Sequence, residues 1–475
     1  MDKPQIDDII EVHIDDLGFE GSGIGRINGD FVVFVPKTVP GDIIKAKIKK
    51  VKKKFAVAKV EEIIGNSALR TQPECEHFGT CNGCKMQNID YNHQLTIKKR
   101  NVVNAFEKIG GFSGLSIPDV TGSVDRYYYR NKLEFSFSNK RWLIEDDMGK
   151  IADNSFALGY HMPGFIDKVL DIKNCHLQSE LSNKILNLTR DFFKSKNESI
   201  YSTKTNSGYL RYLIVRQAAE TNDLMVNLIT LLEKKEIINE YAECIKNEIP
   251  EVTTLVNSVS TSKAQVAKAD YSNVIYGKGY IEEKIGKYKF KITPSSFFQT
   301  NTKQCERLFN RIIEFADFSK EENVLDLYCG CGAISIFISE HVNKVFGVEL
   351  NDESIKIAEE NAELNKVKNC EFSAYDVKDF LKNLITKNAV KQKFDTIILD
   401  PPRSGIHPKS AEYILESEPK KIIYVSCNPT TQARDIKLLS EKYEITKIQP
   451  VDMFPHTFHI ENIVRLDLKK LSTVE

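Results

Sequence analysis

Hydrophobic and polar positions follow three patterns along the chain. Up to residue 64, short runs such as "DIIKAKIKKV" alternate with a period of two between glycine-containing turns, which predicts a small β-barrel. Residues 125–290 are rich in β-type runs such as "YYYRNKLEFSF" and predict an antiparallel α+β region. From about residue 291, helical patterns alternate with short apolar strands, which predicts a mostly parallel sheet with crossover helices. The patterns therefore predict a multidomain α/β protein divided at 1–64, 65–290 and 291–475.

One predicted helix lies between the barrel and the central region. Residues 93–110, "HQLTIKKRNVVNAFEKIG", have apolar positions at helical spacing and a Gly-Gly stop. The pattern leaves open whether this helix packs on the central domain or on the C-terminal domain.

The composition indicates the cellular compartment of the protein. No apolar run approaches the ~20 residues that span a bilayer, and the acidic start lacks the basic and apolar parts of a signal peptide. Ten cysteines are scattered through the chain without a targeting segment. We therefore expect a cytoplasmic protein, away from membranes, whose cysteines bind metal or act in catalysis.

The zero net charge hides a local excess of lysine. Residues 37–59 carry nine lysines against one acidic residue. The alternation in this segment predicts a strand whose lysines face outwards. Such a stripe is either an ordinary solvated face or a surface suited to phosphates.

A glycine-containing loop follows the first predicted strand of the C-terminal region. "NVLDLYCGCGAISIFI" reads as strand, turn and helix, and the glycines allow a ligand to approach the backbone. Glu349 ends the next strand, 23 residues after Asp326, where its carboxylate can accept hydrogen bonds from two ribose hydroxyls. Asp376 follows the third strand and can meet an adenine edge. The spacing predicts a site for an adenosine-containing cofactor.

Three reactive side chains follow strands of the same region. "LDPPRSG" places Asp400 after an apolar run that its prolines end, and "VSCNP" places Cys427 after "KIIYV". Glu461 lies in "DMFPHTFHIENI", with His456 and His459 nearby. Because such sheets build ligand crevices at the carboxyl ends of their strands, we expect one shared active site.

The cofactor loop with its spaced acids resembles the class I methyltransferases, which implies S-adenosylmethionine as cofactor. Methylation of uracil at C5 needs a thiolate that adds to C6, a base that removes the C5 proton, and a group that holds the polar edge of the ring. Cys427, Glu461 and Asp400 are the candidates for these roles, in that order. His456 and His459 are rivals for the base.

Three motifs carry a closer resemblance. "LDPPRSG", "YVSCNPTT" and "DMFPHTFHIENI" match, in order, signatures of the RNA uracil-C5 methyltransferase family. This resemblance implies Cys427 as nucleophile and Glu461 as base. In "TPSSFFQTN" it implies that Gln299 contacts cofactor and target, and that Phe297 faces the flipped base. Tyr328 stands where the family often has Phe, and we place it with Asp400 among the cofactor-binding residues.

Four cysteines have metal-ligand spacing. Cys75, Cys81 and Cys84 form C-x5-C-x2-C in "CEHFGTCNGC", and Cys175 follows after 90 intervening residues. Four thiolates suit either zinc or an iron–sulfur cluster, and spacing alone favours zinc. The family resemblance favours a [4Fe–4S] cluster instead, because ribosomal members carry one on this layout.

The remaining expectations concern RNA. "GSGIGRINGDFVVFVPKTVPGD" resembles the TRAM domain, an OB-like RNA-binding module, and "DRYYYRNKLEF" holds Arg130 and Lys132 beside tyrosines that could stack on bases. We expect a monomer that makes 5-methyluridine in 23S ribosomal RNA. The alternatives are the same chemistry on transfer RNA and a non-catalytic RNA-binding or assembly factor.

Overall fold

The computed structural model describes residues 3–18, 21–144, 147, 154–386 and 393–470. Among the helices of these residues, none has the length and apolar character that a bilayer crossing requires.

The N-terminal residues form the predicted barrel. Its strands close in the order first, second, third, fifth, fourth. In the fourth strand Ile44, Ala46 and Ile48 point into the barrel core, because alternate positions of a strand face opposite sides. The strands are β1 (Ile9–Leu17), β2 (Gly23–Ile27), β3 (Phe31–Val35), β4 (Ile43–Val51) and β5 (Phe55–Gly65).

The lysine stripe lies on the outside of the barrel, as predicted, but it is partly neutralised. Lys45 pairs with Glu62 at 2.8 Å and Lys47 pairs with Asp7 at 3.1 Å. Lysines 52–54 are exposed at the turn between β4 and β5. The positive charge is therefore concentrated at that turn rather than along the whole strand.

The predicted helix spans α1 (Tyr91–Ala105) and continues as a π-helical turn over Phe106–Gly110. Asp90 caps its start, since the carboxylate accepts from the backbone N–H groups of residues 92 and 93. Val102 and Phe106 share a buried cluster with Tyr424 of the C-terminal sheet. The helix thus packs on the C-terminal sheet.

The central region is built on a seven-stranded sheet with two helices. One pair of its strands is parallel, whereas the sequence predicted an antiparallel sheet. The two strands can run in the same direction because the helix between them carries the chain back to the end of the sheet where the first strand began. The elements are β6 (Lys132–Ser138), β7 (Ala157–His161), β8 (Val169–Asp171), α2 (Glu180–Ser195), β9 (Leu210–Gln217), β10 (Leu224–Thr230), α3 (Lys235–Glu248), β11 (Thr254–Val259) and β12 (Tyr271–Tyr276). They are ordered β12-β11-β10-β9-β6-β7-β8, and β10 and β11 are the parallel pair.

The C-terminal region has the predicted alternation of strands and helices, after a hairpin and a first helix. Its elements are β13 (Ile281–Ile285), β14 (Tyr288–Ile292), α4 (Thr302–Ala316), β15 (Asn323–Leu327), α5 (Ala333–Ile338), β16 (Lys344–Glu349), α6 (Asp352–Leu364), β17 (Cys370–Ala374), α7 (Val377–Thr386), β18 (Thr396–Leu399), α8 (Pro408–Ser417), β19 (Lys421–Ser426), α9 (Pro429–Leu439), β20 (Tyr443–Val451) and β21 (Glu461–Leu468).

The large C-terminal sheet has the order β17-β16-β15-β18-β19-β21-β20. Strands β15 to β19 are parallel to one another, and β21 is antiparallel to β19 and β20. Every residue of β19 is buried, as expected for a strand covered on both faces. The chain order reverses beside β15, which is where sheets of this kind open a ligand crevice.

Candidate active site

A cavity of about 1260 Å³ opens at the carboxyl ends of β15, β16, β18 and β19 and continues along the central sheet. This volume exceeds the ~300–1,000 Å³ of most small-molecule sites, so there is room for more than one ligand. Every site residue predicted from the sequence lines it: Cys75, Cys81, Cys84, Arg130, Lys132, Cys175, Phe297, Gln299, Tyr328, Glu349, Asp376, Asp400, Cys427 and Glu461.

Cys427, Asp400 and Glu461 come together because of strand pairing. Asp400 directly follows β18 and Cys427 directly follows β19, and these two strands are parallel neighbours. Glu461 begins β21, which runs antiparallel on the other side of β19. Residues separated by up to 61 positions in the chain therefore meet at one edge of the sheet.

Asp400, Glu461 and Cys427 all have pKa values above the usual ones for their side chains. Burial raises the pKa of Asp400 to about 7, with the charge of Asp326 adding to the shift. Burial and the charge of Asp400 raise the pKa of Glu461 to about 8. Burial also raises the pKa of Cys427 to about 11, with smaller contributions from the two carboxylates. Carboxyl groups with pKa values near neutrality suit proton transfer at the pH of a cell.

Arg403 is a cation of this site that the sequence reasoning left unassigned. Its guanidinium lowers the pKa of both Cys427 and Glu461, against the larger effect of burial. Its Nη2 lies 2.6 Å from Nδ1 of His459, and its carbonyl accepts from Nδ2 of Asn428 at 3.1 Å. The sequence did contain an indication of this role, because Arg403 is the only cation in "LDPPRSG" and stands three residues after Asp400.

The two rival histidines lie in different surroundings. His459 lines the cavity, and burial with the charge of Arg403 lowers its pKa to about 4. His456 is buried behind the site, stacked on Tyr127 with 4.4 Å between ring centroids. Its Nδ1 lies 3.2 Å from Nε2 of Gln94, and its carbonyl accepts backbone N–H groups of residues 85 and 86. His456 is thus a packing residue, which leaves His459 as the only one of the two that faces the cavity.

The predicted cofactor loop lines the opposite side of the cavity. Tyr328 has a φ of 65°, a left-handed conformation that its N–H stabilises by donating to the carbonyl of Val348 at 2.9 Å. The Glu349 carboxylate accepts from the N–H of Gly330 at 3.3 Å, which fixes the carboxylate beside the loop. Asp376 accepts from the N–H of Asp379 at the start of α7. Two carboxylates thus flank an aromatic and glycine-containing wall, which fits an adenosine moiety.

The segment before α4 forms another wall. The Phe297 side chain is 73% exposed although it lines the cavity. Asn131, between Arg130 and Lys132, holds this segment, since its Nδ2 donates to the carbonyl of Gln299 at 2.8 Å and its N–H donates to that of Thr300. An exposed ring beside basic side chains is suited to stacking on a base.

The four cysteines of the predicted metal site line the far end of the cavity. Burial raises the pKa values of all four, and the charges of the other thiols add to this for Cys75, Cys81 and Cys84. The N–H of Gly83 donates to Sγ of Cys81 at 3.4 Å. Within the described ranges, no three His, Cys, Asp or Glu side chains are close enough to hold a single metal ion. The structure therefore places four thiols around one space without showing a metal centre.

Two families match the sequence. Residues 212–469 match the tRNA (uracil-5-)-methyltransferase family, and residues 6–60 match the TRAM domain. These ranges cover the large C-terminal sheet with part of the central sheet, and the barrel.

Relatives and a solved structure match nearly the whole chain. An uncharacterized RNA methyltransferase of Bacteroides thetaiotaomicron is 40% identical, over 95% of this chain and 100% of its own, and one of Chlorobaculum tepidum is 39% identical over 96% and 95%. The crystal structure of the Pyrococcus abyssi tRNA (uracil-54, C5)-methyltransferase with S-adenosyl-L-homocysteine is similar, with a TM-score of 0.75 and 28% identity. The match covers 96% of this chain and 100% of that one.

Proposed function

Because this chain belongs to the tRNA (uracil-5-)-methyltransferase family, we propose that it methylates C5 of uridine in RNA at the cavity lined by Cys427. The observation that carries the proposal is the meeting of Cys427, Glu461 and Asp400 at one edge of the sheet. The reaction requires a thiolate, a base and an acceptor for the pyrimidine edge, and this edge of the sheet holds one group for each role.

The cofactor-side wall suits S-adenosylmethionine, which supplies the methyl group when bound. Glu349 would accept hydrogen bonds from the ribose hydroxyls, and Asp376 would meet the adenine edge. Tyr328 lines the same wall, and Gln299 and Asp400 lie between it and the target. The Pyrococcus abyssi neighbour, which binds S-adenosyl-L-homocysteine, supports this assignment.

Cys427 is the nucleophile in this proposal. Its sulfur adds to C6 of uracil, and the electron pair of the C5–C6 bond moves to C5 and O4, which makes C5 nucleophilic. The Arg403 guanidinium favours loss of the thiol proton, because it lowers a thiol pKa that burial raises to about 11. Asp400 accepts a hydrogen bond from the N3–H edge and holds the ring in place.

Glu461 is the base. After C5 carries the methyl group, the carboxylate removes the C5 proton, and the electron pair restores the C5–C6 double bond and expels the sulfur of Cys427. A pKa of about 8 makes this carboxyl group a better proton acceptor than an ordinary glutamate. His459 has a pKa of about 4 and is therefore a weak base.

In this proposal the substrate is 23S ribosomal RNA, as expected from the sequence motifs. The TRAM barrel and the four-cysteine layout support it. The tRNA (uracil-54, C5)-methyltransferase of Pyrococcus abyssi supports transfer RNA as the second candidate, since its whole chain matches 96% of this one. Phe297 would stack on the extruded uracil in either case.

The test is to map 5-methyluridine in 23S ribosomal RNA and transfer RNA of strains with and without the gene. We expect one or more 23S positions to lose the modification and to regain it with the wild-type gene but not with Cys427→Ala. Loss confined to transfer RNA would refute the ribosomal target and leave the chemistry intact. Unchanged 5-methyluridine in both RNAs would refute the proposed function.

The four cysteines hold a [4Fe–4S] cluster in this proposal, with zinc as the alternative. Cys175 is buried and the other three cysteines are half-buried, and all four line one space, so their thiolates would be available to bind the irons of such a cluster. The N–H of Gly83 at Sγ of Cys81 and the hydroxyl of Tyr160, 3.8 Å from Sγ of Cys175, are donors of the kind that stabilise cluster sulfurs.

Anaerobic purification tests the cluster. The wild-type protein should be brown and contain iron and sulfide, and Cys81→Ser should lose both. Cys244→Ser is the matched control, because this half-buried cysteine lies on α3 outside the cavity. A colourless protein with stoichiometric zinc would refute the iron assignment.

A further inference from the structure

A second, smaller cavity lies on the central sheet beyond the catalytic one. It measures about 40 Å³ and is lined by the ends of β6, β7 and β9 and by the loops that hold Asp167 and Tyr201. This is room for one small polar group rather than for a whole nucleotide. We call it the sheet niche.

The sheet niche follows the catalytic cavity along one face of the sheet. On β6, Lys132 and Glu134 line the catalytic cavity, whereas Ser136 and Ser138 line the niche. Alternate residues of a strand share a face, so all four side chains lie on the same side. At about 3.3 Å per residue, the niche begins about 7 Å beyond the last catalytic-cavity residue of this strand.

Two residues that line the niche each have a buried side-chain nitrogen without a hydrogen-bond partner among the described residues. The Arg211 residue is 3% exposed, and its Nη1 and Nη2 donate to the carbonyls of Ser260 at 2.7 Å and Ala264 at 3.1 Å. Its Nε and Nδ1 of His161 have no hydrogen-bond partner among the described residues. Buried polar atoms of native proteins nearly always have a hydrogen-bond partner, so two unpaired nitrogens beside one small cavity indicate a bound polar group.

The rim of the niche is positively charged. Lys140 and Lys204 both pair with one carboxylate, that of Asp167, and Arg211 adds a further positive charge below them. Glu134 lies toward the catalytic cavity and pairs with Lys132 at 3.0 Å. Asp270 lies close enough to Arg211 for their charges to interact, so three cations face two carboxylates, and the net positive charge favours an anion.

We propose that the sheet niche binds a phosphate group of the substrate RNA, from a nucleotide next to the methylated uridine. The inference rests on the proposed function, since it requires RNA in the catalytic cavity. The basic rim and the unpaired Nε–H of Arg211 match a phosphodiester oxygen, to which His161 can also donate when its proton is on Nδ1, and the size excludes a base. The phosphate contact fixes the register of the strand across the sheet, while the catalytic cavity selects the uridine.

Salt-dependent RNA binding tests the niche with the full-length protein. Each phosphate contact that is removed should lower the slope of log affinity against log salt by about 1. The double variant Lys140→Ala/Lys204→Ala should therefore show a smaller slope and several-fold weaker binding. Lys196→Ala/Lys246→Ala is the matched control, because each of these lysines pairs with a glutamate of α3, away from the niche. The control should bind RNA like the wild type.

The outcomes separate the niche from the proposed function. Equal slopes for the niche variant and the control would overturn the niche, even where the wild type methylates uridine. A reduced slope in a protein that methylates no uridine would leave the niche standing and refute the function. Inorganic phosphate, titrated alone, distinguishes the source: thermal stabilisation of the wild type but not of the niche variant, with equal RNA slopes, would mean a free-anion site and overturn the RNA assignment.

Discussion

The chemistry of the site depends on how three acids share protons within one buried space. Cys427, Glu461 and Asp400 each have a raised pKa, chiefly through burial, and a charge on one carboxylate makes ionisation of the others harder. Arg403 opposes this for the thiol and for Glu461. A single cation therefore acts on both the nucleophile and the base, although burial has the larger effect on each.

Glu461→Gln should stop the reaction at the covalent protein–RNA intermediate. The thiol of Cys427 can still attack and C5 can still be methylated, but without the base the C5 proton stays and the sulfur cannot leave. A covalent protein–RNA species should accumulate on denaturing gels with labelled RNA, whereas Cys427→Ala should form none. Normal turnover of Glu461→Gln, with the adduct accumulating in His459→Gln instead, would assign the base to the histidine.

The pH dependence of adduct breakdown should follow Glu461. The carboxyl group accepts a proton only when ionised, and its pKa is raised to about 8, so the rate at which a preformed adduct breaks down should increase with pH up to about 8 and then level off. Arg403→Gln should move this plateau to higher pH, because the cation that lowers the pKa is gone. Arg311→Gln, whose arginine pairs with Glu314 on α4, is the control. An identical pH profile in both variants would contradict the role of Arg403.

At the scale of elements, helix α1 supports the loop that leads to Glu461. Lys98 and Asp452 form an ion pair of 2.6 Å in which both side chains are fully buried. Tyr91 donates to the same carboxylate at 2.9 Å, and the Lys98 ammonium also donates to the carbonyl of Phe454 at 3.0 Å. The loop from residue 452 to Glu461 is thus held by a helix far away in sequence.

Lys98→Met should destabilise the protein strongly. Removing one partner of a buried ion pair leaves the other charge buried and costs about 3–5 kcal/mol. Lys99→Ala, which removes an exposed pair with Asp119, should change the stability little, because water screens such a pair. Chemical denaturation measures both, and the double variant Lys98→Met/Asp452→Leu should recover part of the loss. Equal costs for Lys98→Met and Lys99→Ala would contradict the supporting role of the buried pair.

At the scale of the whole molecule, segments from three parts of the chain surround one cavity. The cysteine segment is joined to the catalytic loop by two backbone hydrogen bonds, from the N–H groups of Lys85 and Met86 to the carbonyl of His456. The barrel joins the same segment through a small apolar cluster that includes Leu17, Val39 and Met86. A change at the cysteines should therefore reach the catalytic loop.

Hydrogen exchange can detect this connection. Cys81→Ser should increase exchange within residues 75–90 and also in the loop 452–460, because the two segments share the His456 carbonyl. Strand β19, buried along its whole length, should exchange as slowly as in the wild type. Faster exchange restricted to residues 75–90 would show that the two segments are independent.

Local patterns were sufficient for most of the architecture. Period-two alternation predicted the barrel, alternating strands and helices predicted the parallel sheet, and proline and glycine positions predicted the loops that carry Asp400 and Cys427. These features depend on neighbours within a few residues, which is why the sequence by itself determined them. The parallel pair β10 and β11 was missed, because strand direction depends on how a connecting helix crosses the sheet.

Only the tertiary structure decided which of the predicted residues lie together and what surrounds each side chain. His456 and His459 stand three residues apart in one motif, yet one is stacked behind the site and the other faces the cavity. The raised pKa of Glu461, the action of Arg403 on it and the burial of Lys98 depend on contacts between segments distant in the chain. Desolvation and charge proximity are properties of three-dimensional packing, so residue order determined which groups were available and the fold determined their chemistry.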